Sequence, residues 1–390
     1  MFSKVLLFVM IYASLKFFIW LLRSFEGSPK KIKKMAKPIH LAVAIPAHNE
    51  GTSIARTVRS ILKAGVPAED IYVICNGCTD NTAEEVRKCG VEPIMAPTHG
   101  KEETLAWADE EIFLNQKNRN KYSAICFFDA DTEIDKKYFK VIRDCFRNDP
   151  TIDIICGRPK SLPHNWLTAH RAVQYWAFHA VHKAAQAKMS AILVVPGCAG
   201  IYTVNALRKI VWSPDTRIGD MDATIQAAKL GMKIVFEPKA IVYTQDPSNL
   251  RDYTNQLYRR WNRGLWMNMR KHGLLWKGPW IGRASLVNWD CRMIFFDQFA
   301  PLLYLAIILI FRLKFLLFPS FGVYLGFMAY ETLGCAIKEN RWDVVKYFPI
   351  FLLMRVLDML LFLAAMPNIF VKKEKSGVWE SPTRYHAKES

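Results

Sequence analysis

The chain has 390 residues, 51% of them hydrophobic, and a formal net charge of +18 at pH 7. This length is typical of two domains, or of one domain joined to membrane segments. A large positive charge is common in proteins that bind nucleic acid, but the basic clusters here, 30–34 and 259–277, lie beside long apolar runs. Lys and Arg at such positions mark the cytoplasmic side of a membrane protein. We therefore predict a lipid bilayer as a partner and exclude nucleic acid.

Four apolar runs are candidates for membrane spans, because a helix needs roughly 20 apolar residues to cross a bilayer. The first run lacks the small-residue cleavage site of a signal peptide, so an uncleaved anchor is the better interpretation. The four runs are 5–22, 293–311, 315–332 and 344–371. We predict an N-terminal transmembrane helix at 1–24 and C-terminal transmembrane helices at 291–371, followed by a polar tail at 372–390.

The basic clusters also predict an orientation, with the N-terminus outside and residues 23–290 in the cytoplasm, at the plasma (bacterial inner) membrane. With four spans the basic stretch 372–375 would emerge outside, against the same rule, so the side of the C-terminus stays open. Arg355 and Asp358 are three residues apart on one face of the last segment. We expect this face to contact protein or water rather than lipid.

The spacing of the cysteines does not predict a metal site. The nine cysteines include one CxxC motif, Cys75 to Cys78. A structural zinc site usually needs two such pairs, or histidines at suitable spacing. Reduced thiols in a reducing compartment are the simpler interpretation.

Strands and helices alternate between residues 40 and 157. The apolar runs are nearly continuous, as is typical of strands buried on both faces of a parallel sheet, which predicts an α/β domain with a mostly parallel sheet. The absence of GxGxxG and Walker A motifs argues against a dinucleotide enzyme or a P-loop NTPase. The predicted strands are 40–46, 71–75, 91–96, 122–128 and 152–157, and the predicted helices are 53–65, 81–90, 101–116 and 136–147.

Two aspartates, Asp129 and Asp131, come directly after the predicted strand 122–128. Ionised carboxylates repel each other, so a positive group is expected beside them. Carboxylate oxygens suit Mg²⁺ or Mn²⁺, and such a pair can bridge the cation to a diphosphate. The alternative is a structural pair, one residue in a turn and one capping a helix.

Other polar segments follow the neighbouring strands. The first two strands end in the segments 45–50 and 76–82, the loop 196–202 is rich in small residues, and Asp220 and Asp222 begin a helix. Ligands of parallel sheets bind beyond the carboxyl ends of the strands. We therefore predict that these segments converge on one polar rim.

In this order the motifs resemble those of the family 2 glycosyltransferases of the GT-A fold, in the membrane-integrated branch with cellulose, chitin, hyaluronan and poly-N-acetylglucosamine synthases. The resemblance covers residues 38–290. It implies a Rossmann-like GT-A domain at 38–248, followed by amphipathic interfacial helices at 249–290.

The motifs match residue by residue, with departures. Cys75 and Asn76 stand where two aspartates are common, so the carboxylate that often grips the uracil ring is missing, although Asn76 can still form hydrogen bonds. Leu257 replaces the glutamine of the family's Q-x-x-R-W motif, and Gln256 sits one residue early. The matching positions are Pro46, His48, Asn49, Glu50, Gly77, Thr79, Asp80, Thr82, Gly100, Lys101, Asp129, Asp131, Asp220, Arg260 and Trp261.

The resemblance implies an inverting transfer from a UDP-sugar, with UDP-GlcNAc or UDP-Glc favoured, that leaves a β-linkage. Asp131, with Asp129 nearby, would hold Mg²⁺ or Mn²⁺ on the diphosphate, and Asp220 would be the catalytic base. The implied nucleotide-sugar site comprises Pro46, His48, Glu50, Asn76, Asp80, Lys101, Asp129, Arg260 and Trp261, and the implied acceptor site comprises Gly197, Cys198, Asp220 and Trp261.

The segment 249–281 has the pattern of an amphipathic helix beside the membrane. We predict that its apolar stripe lies in the headgroup boundary, which would set Arg260 and Trp261 against the mouth of the membrane region. The stripe consists of Leu257, Trp261, Leu265 and Met269, and Arg260, Arg263 and Arg270 lie off it.

Three functions stay open from the sequence. The first is a synthase that extends a glycan and passes it through its spans, alone or as a homo-oligomer; the single N-terminal span followed by a C-terminal cluster favours it. The second is a transferase that adds one sugar to a membrane lipid, which Leu257 favours. The third, a non-catalytic membrane scaffold, is disfavoured because Asp129, Asp131 and Asp220 are all present.

Overall fold

A computed structural model describes residues 38–274 except 116, 117 and 119, and then 287–292, 306, 308–310, 312, 317–370 and 385. The predicted N-terminal span, most of the run 293–311, the end of the interfacial segment and nearly all of the tail lie outside these residues.

One mixed sheet forms the centre of the described chain. Its strands are β1 (Leu41–Ala47), β2 (Ile71–Asn76), β3 (Ile94–Ala96), β4 (Ala124–Phe127), β5 (Thr132–Ile134), β6 (Ile154–Ser161), β7 (Gly200–Thr203) and β8 (Ile234–Thr244). Their order across the sheet is β3-β2-β1-β4-β7-β6-β8-β5.

The sheet is mostly parallel, as predicted. Strands β1 to β4 run parallel to one another, and β6 is parallel to β8. Strand β7 is antiparallel to both β4 and β6, and β5 is antiparallel to β8. Because β1, β2 and β4 point the same way, their carboxyl ends share one edge, and the polar segments that follow them are brought together there.

Helices cover both faces of the sheet. They are α1 (Ile54–Lys63), α2 (Thr82–Arg87), α3 (Lys101–Ala108), α4 (Tyr138–Asn148), α5 (Trp166–Tyr175), α6 (Lys183–Lys188), α7 (Val204–Leu207), α8 (Gly219–Lys229), α9 (Leu250–Asn255), α10 (Arg263–Lys271), α11 (Leu317–Lys338) and α12 (Phe348–Ala364). Wider π-helical turns at Asp109–Phe113, Trp176–His182 and Gln256–Asn262 extend α3, join α5 to α6 and join α9 to α10. Short 3₁₀ turns lie at Ala68–Asp70, Trp342–Tyr347 and Met366–Phe370.

Strand β1 shows why the apolar runs form buried strands. Val43 and Ile45 pack on one face of the sheet with Val58 of α1, whereas Ala42 and Ala44 pack on the other face. All four strand residues are fully buried. Burial of an aliphatic side chain stabilises the fold by about 1.5–3 kcal/mol, so a strand apolar on both faces is stable only inside such a sandwich.

The C-terminal helices pack against α5 and the π turn that follows it. Gly334 of α11 lies against the Trp176 ring so closely that an added Cβ would sit 2.2 Å from it. Phe351 of α12 joins the same buried cluster. The opposite surface is apolar and open, with Phe318 86% and Leu353 73% exposed.

Among the described residues, one helical stretch, Trp342–Phe370, is long and apolar enough to cross a membrane, with a mean hydropathy of 2.1 in its most apolar window. It covers most of the predicted run 344–371. Residues 317–332 of another predicted run, 315–332, belong to α11.

Asp109 is a buried carboxyl at the end of α3. It accepts a hydrogen bond from Trp212 Nε1 at 2.7 Å, and its other oxygen has no partner within the described part of the chain. Burial raises the pKa of this carboxyl from 3.8 to about 8, although the Trp212 bond opposes the shift. The folded protein therefore holds a proton at Asp109 at neutral pH.

A carboxyl with a raised pKa stabilises the folded state fully below its unfolded pKa, and this contribution is lost as pH rises through the folded value. We expect the unfolding temperature to fall as pH rises from 4 to 8, because the contribution of protonated Asp109 to folding stability is lost over this range. Asp109→Asn keeps an oxygen for Trp212 and should flatten this dependence, whereas Asp144→Asn, at an exposed surface pair, should not. Identical pH profiles for the native protein and Asp109→Asn would show that Asp109 is ionised in the fold.

Candidate active site

A cavity of about 490 Å³ opens at the carboxyl edge of the sheet. It is lined by the ends of β1, β2 and β4, the start of α3, the loop before β7, the start of α8, and residues from α5 to the π turn before α10. Of the thirteen predicted site positions, Asp80 alone does not line it. The predicted positions on its wall are Pro46, His48, Glu50, Asn76, Lys101, Asp129, Asp131, Gly197, Cys198, Asp220, Arg260 and Trp261.

The positive group expected beside the two aspartates is Lys101, at the first turn of α3. Its ammonium donates to Asp129 Oδ1. Burial works against charge on Lys101, but Asp129 outweighs it and, with Asp220 adding to the effect and Arg260 opposing it, the pKa of Lys101 is raised. Lys101 is therefore a fixed cation between two carboxylates.

Asp131 is 9% exposed and follows Asp129 at the strand end. It accepts a long hydrogen bond from Thr132 Oγ1 at 3.4 Å. A nearly buried carboxylate is expensive unless a cation or donor compensates it. The Asp-Ala-Asp segment thus presents hard oxygen atoms to the cavity.

Asp220 sits in the first turn of α8 and is held from two sides. The Gly197 amide donates to its Oδ2 at 2.9 Å, and the Met221 amide donates to its Oδ1 at 2.9 Å. Gly197 lies close to both charged groups: an added Cβ would be 2.9 Å from the Lys101 ammonium nitrogen and 3.5 Å from Asp220 Oδ2. The loop before β7 therefore orients the Asp220 carboxylate toward the same space as Lys101.

Asp222, two residues farther on, has a different role. Its side chain is fully buried and is paired with Lys271 at 3.0 Å and His272 at 2.6 Å. These contacts lower the pKa of Asp222, against the effect of burial. Asp222 does not line the cavity and instead joins α8 to the end of α10.

Asn76 and His48 form the wall at the ends of β2 and β1. Asn76 donates to Thr104 Oγ1 of α3 at 2.9 Å, and its backbone oxygen lies 2.6 Å from His48 Nδ1. The next residue, Gly77, has a positive φ of 58° and lies against His48. The Asn76 amide is thus committed to α3.

Asp80 is placed at the exposed rim. Its carboxylate accepts hydrogen bonds from the Gly51 amide at 3.0 Å and the Thr82 amide at 3.0 Å. The Thr82 hydroxyl bonds to it as well, and these hydrogen bonds lower the pKa of Asp80 in spite of partial burial. In this structure Asp80 joins two loops, and its role in nucleotide binding stays a prediction.

The cysteines fit the interpretation as reduced thiols, since all nine are free. Cys198 lies at the cavity, and burial raises the pKa of its thiol, an effect that Asp129 strengthens. Cys78 donates a hydrogen bond to the Ala47 carbonyl oxygen at 3.3 Å.

The π turn Gln256–Asn262 sets the register of the predicted Q-x-x-R-W segment. A π turn holds one more residue than an α turn, and here Gln256, Leu257, Arg260 and Trp261 all line the cavity. Gln256, which lies one residue before the position of the family's glutamine, therefore still lines the cavity.

The apolar stripe of this segment is a correction to the sequence prediction. We expected it to lie in the membrane headgroup boundary. Leu257, Trp261 and Leu265 line the cavity instead, and Met269 is fully buried in a core cluster. Helical periodicity thus identified the face of the helix that points inward, with Met269 in the protein core and the other three residues on the cavity wall.

Several residues of the site were not predicted. Arg171 of α5 is 2% exposed and lies under the Trp261 ring, with its guanidinium carbon 4.1 Å from the ring centroid. It donates to Asp246 Oδ1 at 3.2 Å. Gln245 and His179 line the same side of the cavity. These residues lie in segments whose sequence carries no motif. Arg171 and Asp246 are 75 positions apart, so the sequence gives no sign of their contact.

Residues 38–264 match the model of the family described as glycosyltransferase like family 2. The match covers more than half of the chain, so the chain belongs to this family. The fold agrees with it: the sequence predicted a GT-A domain with a mostly parallel sheet, and the structure has such a sheet, of eight strands, with the Asp-x-Asp pair at its carboxyl edge.

Two curated relatives are similar over most of the chain. YaiP, an uncharacterized glycosyltransferase of Escherichia coli (strain K12), is 26% identical over 281 residues, which cover 68% of this chain and 65% of that protein. Poly-β-1,6-N-acetyl-D-glucosamine synthase of Staphylococcus epidermidis is 22% identical over 279 residues, which cover 69% and 63%. The chain thus spans slightly less than two thirds of the length of these relatives.

Among solved structures, the mannosyltransferase PcManGT from Pyrobaculum calidifontis, in complex with GDP-Man and Mn²⁺, is similar with a TM-score of 0.61. The two chains are 15% identical, and the match covers 96% of this chain and 100% of that one. At this identity the likeness shows a shared fold.

Proposed function

We propose that this protein is an inverting, membrane-bound glycosyltransferase. It transfers a sugar from a UDP-sugar, with UDP-GlcNAc or UDP-Glc favoured, to a growing β-linked polysaccharide, with the catalytic domain in the cytoplasm and the glycan exported through the membrane part. The similarity to a poly-β-1,6-N-acetyl-D-glucosamine synthase supports this choice of donor and product.

One observation carries the proposal. Asp129, Asp131 and Asp220 come from two distant parts of the sequence and line one cavity with Lys101 and Arg260. Transfer from a nucleotide diphosphate requires carboxylates that hold a cation, a carboxylate that acts as a base, and positive charges beside them.

Asp129 and Asp131 fit a divalent cation. Their oxygen atoms are the ligands that Mg²⁺ and Mn²⁺ prefer. Because the Lys101 ammonium is paired with Asp129, Asp131 is the proposed direct ligand. The described residues hold no cluster of three or more His, Cys, Asp or Glu side chains, but Mg²⁺ is commonly held by one or two carboxylates together with substrate phosphates. When bound, the ion would screen the diphosphate charge and stabilise the leaving UDP.

Asp220 is the proposed catalytic base. The two backbone amides that donate to its oxygens fix its direction, so that it can accept the proton of an acceptor hydroxyl. The hydroxyl oxygen then bonds to the anomeric carbon as the bond to UDP breaks. Attack from the face opposite the leaving group inverts the anomeric centre.

Arg260 and Lys101 are the proposed electrostatic partners of the departing diphosphate. Both line the cavity, and charge-assisted hydrogen bonds from such groups to phosphate oxygens are strong. Trp261, held flat on Arg171, offers a ring face on which the acceptor sugar can stack.

The metal assignment predicts a loss of binding. Asp131→Ala should abolish Mn²⁺-dependent UDP binding in calorimetry and sugar transfer together, because Asp129, which is paired with the Lys101 ammonium, cannot replace it as the direct ligand. Asp135→Ala, four residues farther on and not at the cavity, is the matched control and should bind UDP normally. Unchanged binding by the Asp131 variant would remove this residue from the cation site.

The base assignment predicts a split between two neighbouring aspartates. Asp220→Asn should fold and bind UDP but transfer sugar at least roughly a hundredfold more slowly, the scale of general-base loss. Asp222→Asn should lower the unfolding temperature, since Lys271 and His272 lose their partner, yet keep its turnover per folded molecule. Near-normal turnover by the Asp220 variant would contradict the assignment.

The function itself is tested by incubating membranes that contain the protein with radiolabelled UDP-GlcNAc, UDP-Glc and GDP-mannose, and then sizing the product. We expect a high-molecular-weight, β-linked product from a UDP-sugar, absent with Asp220→Asn. A single organic-soluble glycolipid would indicate transfer to a lipid instead. No turnover of any donor would favour a non-catalytic scaffold.

A further inference from the structure

The CxxC motif, Cys75 to Cys78, lies behind the part of the cavity wall that Asn76 forms. Side chains alternate between the two faces of a strand. Cys75, near the end of β2, therefore joins the core cluster with Val58 of α1 on one face of the sheet, whereas the Asn76 side chain donates to Thr104 of α3 on the other. Cys78 packs against the same cluster as Cys75. Both thiols thus lie on one side of the sheet.

The two cysteines meet the end of β1 at the same residue. Cys75 is the register partner of Ala47 in the sheet, and neighbouring strands lie about 4.8 Å apart. The chain bends back after β2 at Gly77, which has a positive φ of 58°, and Cys78 Sγ lies 3.3 Å from the Ala47 carbonyl oxygen. The two thiols are therefore close enough to form a hydrogen bond with each other.

The two thiols differ in reactivity. The hydrogen bond from the Cys75 thiol, together with one from the Asn49 backbone amide, lowers the pKa of Cys78 to about 6, although burial opposes the shift. The same thiol pair and burial raise the pKa of Cys75. Cys78 is half-buried between the exposed residues Gly77 and Thr79, whereas Cys75 is fully buried. An accessible thiolate beside a second thiol is typical of sites that oxidise reversibly.

The segment after the motif holds part of the cavity wall in place. The Thr79 amide donates to Asn49 Oδ1 at 2.8 Å, and the Asn76 carbonyl oxygen lies 2.6 Å from His48 Nδ1. A disulfide joins its two sulfur atoms at about 2.0 Å, so Cys78 would have to leave its contact with β1. Because Cys78 lies between Asn76 and Thr79 in the chain, this movement would disturb both contacts and shift His48, which lines the cavity.

We propose that Cys75 and Cys78 are a reversible oxidation site for hydrogen peroxide, and that their disulfide weakens nucleotide binding at the adjoining wall. The second part rests on the proposed function, since it assumes that Asn76 and His48 contact the donor nucleotide. The oxidation itself does not depend on that assignment. In a reducing compartment the free thiols are the resting state, and peroxide switches the site.

The reaction passes two electrons from the thiols to the peroxide. The Cys78 thiolate attacks one peroxide oxygen, so that an S–O bond forms as the O–O bond breaks, and the released hydroxide takes up a proton to become water. The Cys75 sulfur then attacks the Cys78 sulfenic acid. The S–S bond forms, the S–O bond breaks, and the hydroxyl leaves with the Cys75 proton as a second water. A dithiol such as dithiothreitol reverses the oxidation by exchange.

The experiment uses the full-length protein in nanodiscs. The protein is treated with hydrogen peroxide, its free thiols are alkylated, and its peptides are analysed by mass spectrometry. We expect Cys75 and Cys78 to be alkylated before treatment and, after it, to share a disulfide that lacks the two thiol hydrogens. In calorimetry with Mn²⁺, UDP should bind the oxidised protein roughly tenfold more weakly, the scale of one lost hydrogen bond, and dithiothreitol should restore the affinity.

Three variants assign the effect to the pair, and their unfolding temperatures show that each is folded. Cys78→Ser keeps a hydroxyl that can donate to Ala47 and should bind UDP equally before and after peroxide. Cys75→Ala keeps the attacking thiol without its partner, so Cys78 should stop at the sulfenic acid, which dimedone traps. Cys89→Ser is the matched control: Cys89 is also half-buried, and its thiol donates to the Glu85 carbonyl oxygen at 3.4 Å. It should respond to peroxide as the native protein does.

Recovery of Cys75 and Cys78 as alkylated thiols after peroxide would overturn the oxidation site, and so would a disulfide that joins either of them to Cys89. A disulfide between Cys75 and Cys78 that leaves the UDP affinity unchanged would overturn its effect on the nucleotide. Reduced protein that fails to bind UDP would contradict the proposed function instead, and the mass measurement would still decide whether the oxidation site exists.

Discussion

A buried guanidinium at Arg171 is the interaction on which the shape of the cavity depends. It lies in α5, donates to Asp246 beyond β8 and to Gln174 one turn along α5, and carries the Trp261 ring on its face. Gln174 in turn donates to Asp358 of α12 at 2.6 Å. Taking a charge out of water costs several kcal/mol, and this cost is offset only while these partners stay in place. The sheet, the helical segment with Trp261 and the apolar C-terminal helix are therefore held in one arrangement.

The second constraint is the mutual repulsion of carboxylates at the sheet edge. Asp129 and Asp220 face one cavity because Lys101 lies between them and because Gly197 lets the loop before β7 approach closely. Backbone amides hold the Asp220 carboxylate in place. These groups thus lie together in a partly enclosed space, where electrostatic interactions are stronger than in water.

Sequence patterns predicted the elements well and their surroundings less well. The strand 122–128 and the helix 53–65 appear as β4 and α1 with small shifts at the ends, because nearly continuous apolar runs and helical spacing depend on local chemistry alone. The same spacing identified the apolar stripe through Trp261. We had expected this stripe in the membrane headgroup boundary, whereas three of its residues line the cavity and Met269 is buried in the protein core. An apolar helical face is compatible with lipid and with protein, and only the position of α5 and the cavity distinguishes the two.

The order of short motifs by itself determined the family and the mostly parallel sheet. It also predicted positions that, except for Asp80, line one cavity, because strand ends of a parallel sheet must meet at one edge. The partners of those residues were decided by the tertiary structure alone. Arg171, Gln245 and His179 carry no signal in the sequence, since a buried hydrogen bond or an unpartnered amide arises only when distant segments pack together. Asp358 is a second residue whose partners the sequence does not show. Its spacing from Arg355 predicted a polar face on an apolar helix. Its contacts with Gln174 and with Tyr253, the latter at 2.5 Å, exist because α5 and α9 lie against that face in the fold.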